Sequence, residues 1–318
     1  MIESLQTLFG SRLKENELLA KHTNFRIGGP ARWFVEVKSE DELKQAVRIA
    51  RETATQLFVL GGGSNTLAKD EGYDGLVVKI GLRRFSISGR HVTADAGVIS
   101  AALARATASA GLQGLEWAIS LPGTIGGAVR GNAGCFGGEI KDVFNSARVL
   151  SDGKIVEVSK DDMQFGYRES SLKHSADILL SVVFGLKEGN ADVLKKRLQE
   201  MLDARKASQP LYAGSAGCVF KNIEFQSSAD LQRLSAEVDI PSEMIAHRRI
   251  SAGWLVDQLG LKGKKIGQAQ ISPEHGNFIL NLGTASASEV VQLIAFVKTR
   301  AHERFGIHLH EEVQYLGF

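Results

Sequence analysis

The placement of glycine is the feature that most constrains how this chain can fold. Of its 34 glycines, 19 lie between Gly28 and Gly138, and the 318 residues include only 5 prolines. The lack of a Gly-X-Y period excludes a collagen-like helix, and the apolar residues that run through the same region argue against a disordered linker. Glycines concentrated in a folded region indicate that the backbone there approaches something closely.

Length, composition and charge exclude several classes of protein. At about 100–200 residues per domain, the length predicts two domains. The net charge of +2 provides no strong field for nucleic acid or anionic lipid, so we expect no nucleic-acid binding and no membrane insertion. Two cysteines cannot form a disulfide framework, and the first residues contain no apolar signal segment, so we expect a cytoplasmic protein.

A β-α-β unit is predicted near the N-terminus. Residues 33–37 and 57–60 have the composition of strands, and Ser39 followed by Glu42 predicts a capping box at the start of the intervening helix. The second strand runs directly into a glycine turn. The same periodicities predict further strands at 75–80, 85–88, 92–94, 147–150 and 178–184, and helices at 99–110, 190–208, 229–238, 252–259 and 288–305.

The domain boundary is predicted near residue 205, where glycine density and hydrophobic pattern both change. We expect a first domain at 1–205, with two subdomains at about 1–80 and 81–205, and a second domain at 206–318. Near the C-terminus, Gly306 is expected to end the last helix.

Residues 307–315 alternate and therefore predict a strand. One face would carry Ile307, Leu309, Val313 and Tyr315, and the other face His308, His310, Glu312 and Gln314. Imidazole and carboxylate groups suit zinc or iron, but a solvated strand face is the favoured interpretation, and no metal is predicted. A catalytic carboxylate at Glu312 is the third interpretation.

Two glycine-rich segments indicate a ligand that is held by backbone groups. Gly61, Gly62 and Gly63 follow a strand, and their successive amides form an anion nest to which Ser64 and Asn65 add neutral donors. The pattern is neither the Rossmann fingerprint nor a Walker loop. A tight turn without a ligand is the alternative interpretation.

The second glycine segment begins at Leu121 and has seven glycines between Gly123 and Gly138. It contains little charge, so it could follow a large flat ligand by backbone contacts, or it could be an irregular loop packed between domains. Two such segments together favour a dinucleotide that is held without a Rossmann fold.

Two reactive side chains stand out elsewhere. Arg168 keeps its charge at any working pH and could stabilise an oxyanion, although a surface ion pair is the ordinary role of an arginine. Cys218 lies among small residues, and a thiol with the ordinary pKa of about 8.5 is mostly protonated at neutral pH and can donate a proton. A buried structural thiol is the alternative.

Read together, these residues resemble the UDP-N-acetylenolpyruvoylglucosamine reductase (MurB) family, the flavoenzymes of bacterial cell-wall synthesis. The matching segments occur in the family's order and span nearly the whole chain. They are HTNFRIGGPA at 22–31, GGGSN at 61–65, LPGTIGGAVRGNAG at 121–134, GYRES at 166–170, GCVFKN at 217–222, SAGWLVDQLGLKG at 251–263 and EEVQYLG at 311–317.

The resemblance implies an α+β protein. It would have an FAD-binding domain of the PCMH/vanillyl-alcohol-oxidase type, built from two α+β subdomains, and a C-terminal α+β substrate-binding domain. It also implies that NADPH reduces a non-covalently bound FAD, which then reduces UDP-N-acetylglucosamine enolpyruvate to UDP-N-acetylmuramate. We expect a monomer that acts on these small molecules.

Carried over residue by residue, the resemblance assigns roles to the residues already singled out. The catalytic arginine of the family falls on Arg168, its proton donor on Cys218 and its catalytic glutamate on Glu312. Asn222 and Lys262 match positions that contact the nucleotide sugar. The FAD contacts fall on Gly61, Gly62, Gly63, Ser64, Asn65, Pro122, Gly123, Thr124, Gly126 and Gly127.

The sequence departs from the family's pattern at three places. The proton donor is usually serine, and Cys218 is more acidic but vulnerable to oxidation and alkylation. Ile223 replaces the usual proline after FKN, and His310-Glu311 replaces an acidic-proline pair. Glu312 is preferred over Glu311 as the catalytic glutamate because it directly precedes Val313 and because it falls on the polar face of the predicted strand. No insertion with a substrate-capping tyrosine is seen, which is typical of the family's shorter type.

Two other classes of function compete with the reductase. One is a flavin oxidase of the same superfamily that acts on a sugar or an alcohol. The other is a flavin-binding or sugar-nucleotide-binding protein without catalysis, which the combination of arginine, cysteine and glutamate disfavours.

Overall fold

The computed structural model describes residues 2–225 and 228–318. Its mixture of helices and strands is the predicted α+β class. The helices are α1 Ile2–Phe9, α2 Glu40–Glu52, α3 Ser100–Ser109, α4 Ile125–Arg130, α5 Ile140–Val143, α6 Ala191–Ser208, α7 Ser228–Glu237, α8 Ser242–Ala246, α9 Ala252–Gln258 and α10 Ala287–Phe305. Short 3-10 turns occur at Gly10–Arg12, Leu19–His22, Glu116–Ser120 and Ser171–Lys173.

The strands form several sheets. They are β1 Lys14–Leu18, β2 Pro30–Val37, β3 Leu57–Leu60, β4 Thr66–Ala68, β5 Tyr73–Ile80, β6 Phe85–Ser88, β7 His91–Asp95, β8 Leu112–Gln113, β9 Gly134–Cys135, β10 Gly138–Glu139, β11 Phe144–Ser151, β12 Lys154–Ser159, β13 Ile178–Gly185, β14 Lys187–Glu188, β15 Ile223–Glu224, β16 Arg249–Ile250, β17 Lys265–Ile266, β18 Ala269–Ile271, β19 Ile279–Asn281 and β20 Gln314–Leu316. The predicted helices and the predicted strands before residue 190 are therefore present, whereas the edge strand β12 and most of the short strands were not predicted.

The chain divides into two compact units. Unit 1 comprises Met1–Glu17, Ala31–Gly63 and Tyr73–Ala207, and unit 2 comprises Leu18–Pro30, Ser64–Gly72 and Ser208–Phe318. Two N-terminal segments thus belong to unit 2, although they lie in the range assigned to the first domain. The limits of the functional domains stay a prediction.

Unit 1 contains the predicted β-α-β unit. Strands β2 and β3 both pair in parallel with β5, in the sheet order β1-β2-β5-β3. The Ser39 hydroxyl accepts from the amide of Glu42 at 3.2 Å and starts α2. The return bond of a capping box is not made, because the Glu42 carboxylate accepts from the amide of Lys38 and from Arg12 instead. The capping-box prediction is therefore half right.

A second sheet of unit 1, in the order β12-β11-β13-β7-β6, is antiparallel throughout. The alternate residues Val182 and Phe184 of β13 are fully buried, and they share one core with Val92 of β7 and Leu103 of α3. β13 is a short, nearly continuous apolar run that is buried along most of its length, which explains why this strand could be predicted from hydrophobic pattern alone.

Unit 2 is organised around α10 and the antiparallel sheet β17-β18-β19. Ser286 and Glu289 form a capping box at the start of α10, and Gly306, with φ 67°, ends the helix as predicted. The carboxylate of Asp70 accepts from the amides of Ala287 at 2.7 Å and Ser288 at 3.0 Å. The segment Ser64–Gly72 is therefore anchored to unit 2 by a charged acceptor at a helix N-terminus.

The prediction of one strand over 307–315 is wrong. Ile307 and Leu309 are buried while His308 and His310 are exposed, as alternation requires. The amides of Glu312 and Val313 then both approach the carbonyl of Val219, at 2.7 and 3.4 Å, which interrupts the alternation. Only β20 is a strand, paired in parallel with β4, and Tyr315 is 37% exposed.

Among the residues that the structure describes, no helix is both long enough and apolar enough to cross a membrane.

Replacing Asp70 should destabilise unit 2. Asp70→Ala removes both acceptors at the start of α10 and should lower the free energy of unfolding by about 1–2 kcal/mol, whereas Asp70→Asn keeps one acceptor and should cost less. Urea unfolding followed by circular dichroism measures the difference. Glu71→Ala, at the exposed neighbouring side chain, is the control. Equal midpoints for Asp70→Ala and Glu71→Ala would contradict the capping role.

Candidate functional site

The two glycine segments that were predicted to bind one ligand contact each other in unit 1, where Gly61 and Gly62 lie against Gly123 and Thr124. A Cβ atom on Gly62 would lie 2.6 Å from Cα of Gly123, and a Cβ on Gly61 would lie 2.8 Å from Oγ1 of Thr124. The first of these distances is shorter than real Cβ contacts, so only glycine permits the backbone approach at residue 62. Gly123 itself has φ +103°, which other residues rarely adopt.

Part of the second glycine segment is committed to the protein itself. The amides of Ile125 and Gly126 donate to the carbonyls of Val98 and Ala96, at 2.8 and 2.7 Å. A Cβ on Gly126 would meet Ala96 at 3.0 Å. These contacts fix the start of α4, so Gly126 has a packing role whatever else it contacts.

Other polar groups of the two segments are left for a ligand. Oγ1 of Thr124 is buried and has no hydrogen-bond partner among the described residues. Among the described residues, the amides of Gly62, Gly63 and Gly127 make none of the main-chain hydrogen bonds that form in turns and loops. A buried hydroxyl without a partner costs about 1–3 kcal/mol, which a bound ligand would recover. The donor set is rich in neutral N–H and O–H groups, as a diphosphate or a flavin requires.

Asn65 is held differently, in unit 2. Its Nδ2 atom donates to the main-chain carbonyl of Glu312 at 2.9 Å, and its main-chain carbonyl accepts from the amide of Gln314 at 2.9 Å. Its Oδ1 atom is buried and has no hydrogen-bond partner in the described ranges. Asn65 therefore fixes the main chain of a predicted catalytic residue and presents one further acceptor.

Cys218 and Glu312 are brought onto neighbouring chain segments of unit 2. Cys218 forms an antiparallel β-bridge with Phe278. The amide of Glu312 donates to the carbonyl of Val219, the residue after Cys218, at 2.7 Å. Glu311, the alternative to Glu312 as the catalytic glutamate, forms an ion pair with Lys298 at 2.8 Å. The choice of Glu312 over Glu311 stays a prediction.

Asn277 is a residue of this region that the sequence analysis missed. It is buried, its Oδ1 accepts from the amide of Phe220 at 2.9 Å, and its Nδ2 donates to the carbonyl of Phe220 at 2.8 Å. One side chain thus replaces a strand partner for the segment that carries Cys218. No periodicity or motif in the sequence could have revealed this role.

Arg168 lies in unit 1, in a four-residue turn at 166–169 that we call the Arg168 turn. Gly166 and Glu169 exchange main-chain hydrogen bonds at 3.1 and 3.2 Å, and Arg168 adopts a left-handed φ of 57°. Its Nη2 donates to the carbonyl of Gly134 at 2.8 Å, and its guanidinium lies 5.3 Å from the centre of the Tyr167 ring. The guanidinium is therefore held by a carbonyl and an aromatic ring of its own unit.

The two predicted sugar-nucleotide residues both have partners in unit 2. Oδ1 of Asn222 accepts from the amide of Ala252 at the start of α9, at 3.1 Å. Nζ of Lys262 pairs with Asp257 at 2.8 Å. Burial, and then the nearby charge of Lys262, lower the pKa of His275 below its ordinary value. His275 is a second residue near a predicted binding lysine whose role the sequence did not reveal, and its lowered pKa favours the neutral imidazole.

Within residues 2–225 and 228–318, no group of three histidine, cysteine, aspartate or glutamate side chains is arranged to hold a metal ion. The rings of His302 and His308 stack at 4.5 Å between centres.

Known proteins match the whole chain. A family model described as FAD binding domain matches residues 31–159, and one described as UDP-N-acetylenolpyruvoylglucosamine reductase, C-terminal domain, matches residues 209–316. The reductase of that name from Clostridioides difficile is 34% identical over 99% of this chain and 97% of its own, and that from Caldicellulosiruptor bescii is 38% identical over 97% and 92%. The crystal structure of the Thermus caldophilus reductase (MurB) superposes with a TM-score of 0.76 at 34% identity, over 96% of this chain and 99% of that one.

Substitution of Gly62 should test the contact between the two glycine segments. Gly62→Ala places a methyl group 2.6 Å from Gly123, so the backbone must shift, and we expect a loss of about 1–3 kcal/mol in the free energy of unfolding. Thermal unfolding measures it. Gly131→Ala is the control, because its new methyl group would find its nearest neighbour at 3.5 Å. A Gly62→Ala protein as stable as Gly131→Ala would show that the close approach is not required.

Proposed function

The chain belongs to the UDP-N-acetylenolpyruvoylglucosamine reductase family, and we propose that it is this enzyme in peptidoglycan precursor synthesis. It uses NADPH and FAD to convert UDP-N-acetylglucosamine enolpyruvate into UDP-N-acetylmuramate. The observation that carries the proposal is the match of residues 209–316 to the reductase's own C-terminal domain, since an FAD-binding domain alone also suits an oxidase.

The residues of the two glycine segments fit FAD. The unpartnered hydroxyl of Thr124 and the amides of Gly62, Gly63 and Gly127 supply neutral donors of the kind that the cofactor's diphosphate and ring carbonyls accept. We assign Gly61, Gly123 and Pro122 to the backbone surface that follows the cofactor, together with Gly126, Ser64 and Asn65.

The protein's part of the chemistry is to stabilise charge and deliver a proton. When bound, FAD supplies hydride transfer from NADPH to the methylene carbon of the enolpyruvyl group. Negative charge then develops on the substrate carboxylate, where Arg168 and Glu312, the latter protonated or sharing a proton, stabilise it. The thiol of Cys218 gives its proton to the neighbouring carbon, which completes the lactyl ether and sets its configuration.

The sugar nucleotide is assigned to Asn222 and Lys262. Lys262 is exposed enough to exchange its partner Asp257 for a phosphate oxygen, and a single ion pair at the surface is weak. Neither Cys135 nor Cys218 forms a disulfide, which fits a reducing cytoplasm, and we expect the enzyme to act as a monomer.

Two half-reactions test the proposal. Purified protein should show a flavin absorbance spectrum that NADPH bleaches under anaerobic conditions. The spectrum should return on addition of UDP-N-acetylglucosamine enolpyruvate and return only slowly with oxygen. Rapid return with oxygen alone would favour the oxidase, and a flavin that NADPH and substrate leave unchanged would favour a binding protein.

Thr124→Val should separate cofactor binding from stability. The isosteric change removes a buried hydroxyl without a protein partner, so the apoprotein should be at least as stable, while FAD affinity should fall about tenfold through the loss of one hydrogen bond. Fluorescence titration with FAD measures the dissociation constant. Thr107→Val makes the same chemical change at a hydroxyl already bonded to the carbonyl of Leu103, and it should leave FAD affinity unchanged. Unchanged affinity in Thr124→Val would remove Thr124 from the cofactor site.

Cys218 should account for inactivation by thiol reagents. Iodoacetamide should abolish turnover, and bound substrate should slow the loss. Cys218→Ser should remain active and resist the reagent, whereas Cys218→Ala should lose about 10²–10⁴-fold in turnover with its proton donor. Full activity after stoichiometric modification of Cys218 would exclude it as the proton donor.

Cys135 provides the matched control for that experiment. Burial raises the pKa of the Cys135 thiol, so its thiolate is scarce and it should react slowly. Cys135→Ala should therefore keep both the activity and the sensitivity of the unmodified enzyme.

A further inference from the structure

Asn132 lies at the centre of the segment that surrounds Arg168. It is fully buried and has a left-handed φ of 39°. Its Nδ2 donates to Oε2 of Glu139 at 2.7 Å and to the carbonyl of Gly166 at 2.8 Å, and its Oδ1 accepts from the amide of Lys141 at 3.0 Å. All of these contacts lie within unit 1.

The contact of Asn132 with Gly166 reaches the main chain that carries Arg168. The carbonyl of Gly166 is the first of the Arg168 turn, and the turn holds Arg168 in a left-handed conformation that costs free energy unless its surroundings enforce it. Lys173 supports the same turn from the other side by donating to the carbonyl of Arg168 at 2.5 Å.

The contact of Asn132 with Glu139 reaches the guanidinium end of Arg168. Glu139 pairs with Gly134 across the β9–β10 hairpin, and the carbonyl of Gly134 accepts from Nη2 of Arg168 at 2.8 Å. Asn132 therefore links the turn that carries the main chain of Arg168 to the hairpin that holds its side chain.

We propose that Asn132 is a positioning residue for Arg168, acting through Gly166 and Glu139. The inference rests on the proposed function, because it assigns Asn132 to the step in which Arg168 stabilises charge on the substrate. A displacement of about 1 Å in a catalytic group can cost about 100-fold in rate, so the links to both ends of Arg168 should affect the reaction directly.

The test compares Asn132→Asp, Glu139→Gln and the double variant. Asn132→Asp replaces two donors by an acceptor that faces the Glu139 carboxylate and the Gly166 carbonyl, so it should lose both stability and rate. Adding Glu139→Gln supplies a donor to the new carboxylate and should restore the melting temperature, but the carbonyl of Gly166 still lacks the donor that Asn132 provided and keeps the amide of Glu169. Glu139→Gln alone keeps an oxygen that can accept from Nδ2 of Asn132, and it measures how much of any loss arises from residue 139 itself.

Single-turnover absorbance measurements separate positioning from folding. We expect the double variant to be reduced by NADPH at the normal rate and reoxidised by saturating enolpyruvyl substrate about 100-fold more slowly. Normal reoxidation in the double variant would overturn the inference, as would an equal loss in both half-reactions. If the double variant does not fold, Lys173→Met should show the same split, and normal reoxidation there would overturn it.

Failure of the proposed function would be seen separately, because the reduced unmodified enzyme would then not be reoxidised by the enolpyruvyl substrate. In that case crystal structures decide the inference. Displacement of Arg168 in the double variant, but not in Glu139→Gln, would support it, and an unmoved Arg168 would overturn it.

Discussion

The close contact between Gly62 and Gly123 is the constraint on which the candidate cofactor site of unit 1 depends. Because neither residue has a Cβ, the turn after β3 and the loop before α4 approach to a distance that no side chain would permit. That approach sets Thr124 beside Gly61, with its hydroxyl buried and without a protein partner. The amides of Gly62, Gly63 and Gly127 make no turn or loop hydrogen bond to the main chain of the described residues, and they lie in these two segments, where backbone groups can recognise a ligand.

Backbone that is irregular and rich in glycine leaves many carbonyl and amide groups without a ladder partner, and buried asparagines satisfy them here. Asn132 does so for Gly166 and Lys141, and Asn277 for both polar groups of Phe220. Asn281 does so for the carbonyl of Phe25 and the amides of Gly283 and Ala285. An asparagine side chain carries both donors and an acceptor, so one residue can replace a missing strand.

The sequence predicted the elements whose signal is local. Helix α2 begins at the predicted Ser39, β6 matches its predicted range, and Gly306 ends α10. What could not be predicted depends on distant partners. The alternation after Ile307 fails because Val219, more than ninety residues before Glu312, accepts from the amides of Glu312 and Val313. The segment Ser64–Gly72 belongs to unit 2 because Asp70 caps a helix that begins at Ala287. For the site, motifs identified the glycines and Arg168, whereas the buried asparagines follow no period or spacing.

The glycines and the asparagines together imply a particular pattern of sensitivity to substitution. A change at Gly62 acts through volume, because any side chain there must displace backbone. A change from Asn132 to aspartate alters almost no volume, yet it turns two donors into an acceptor that faces a carbonyl and a carboxylate. The second kind of change can leave packing nearly intact while it moves the group that a loop presents. Substitutions at the buried asparagines should therefore affect turnover more than size alone would indicate, and those at the contact glycines should affect folding first.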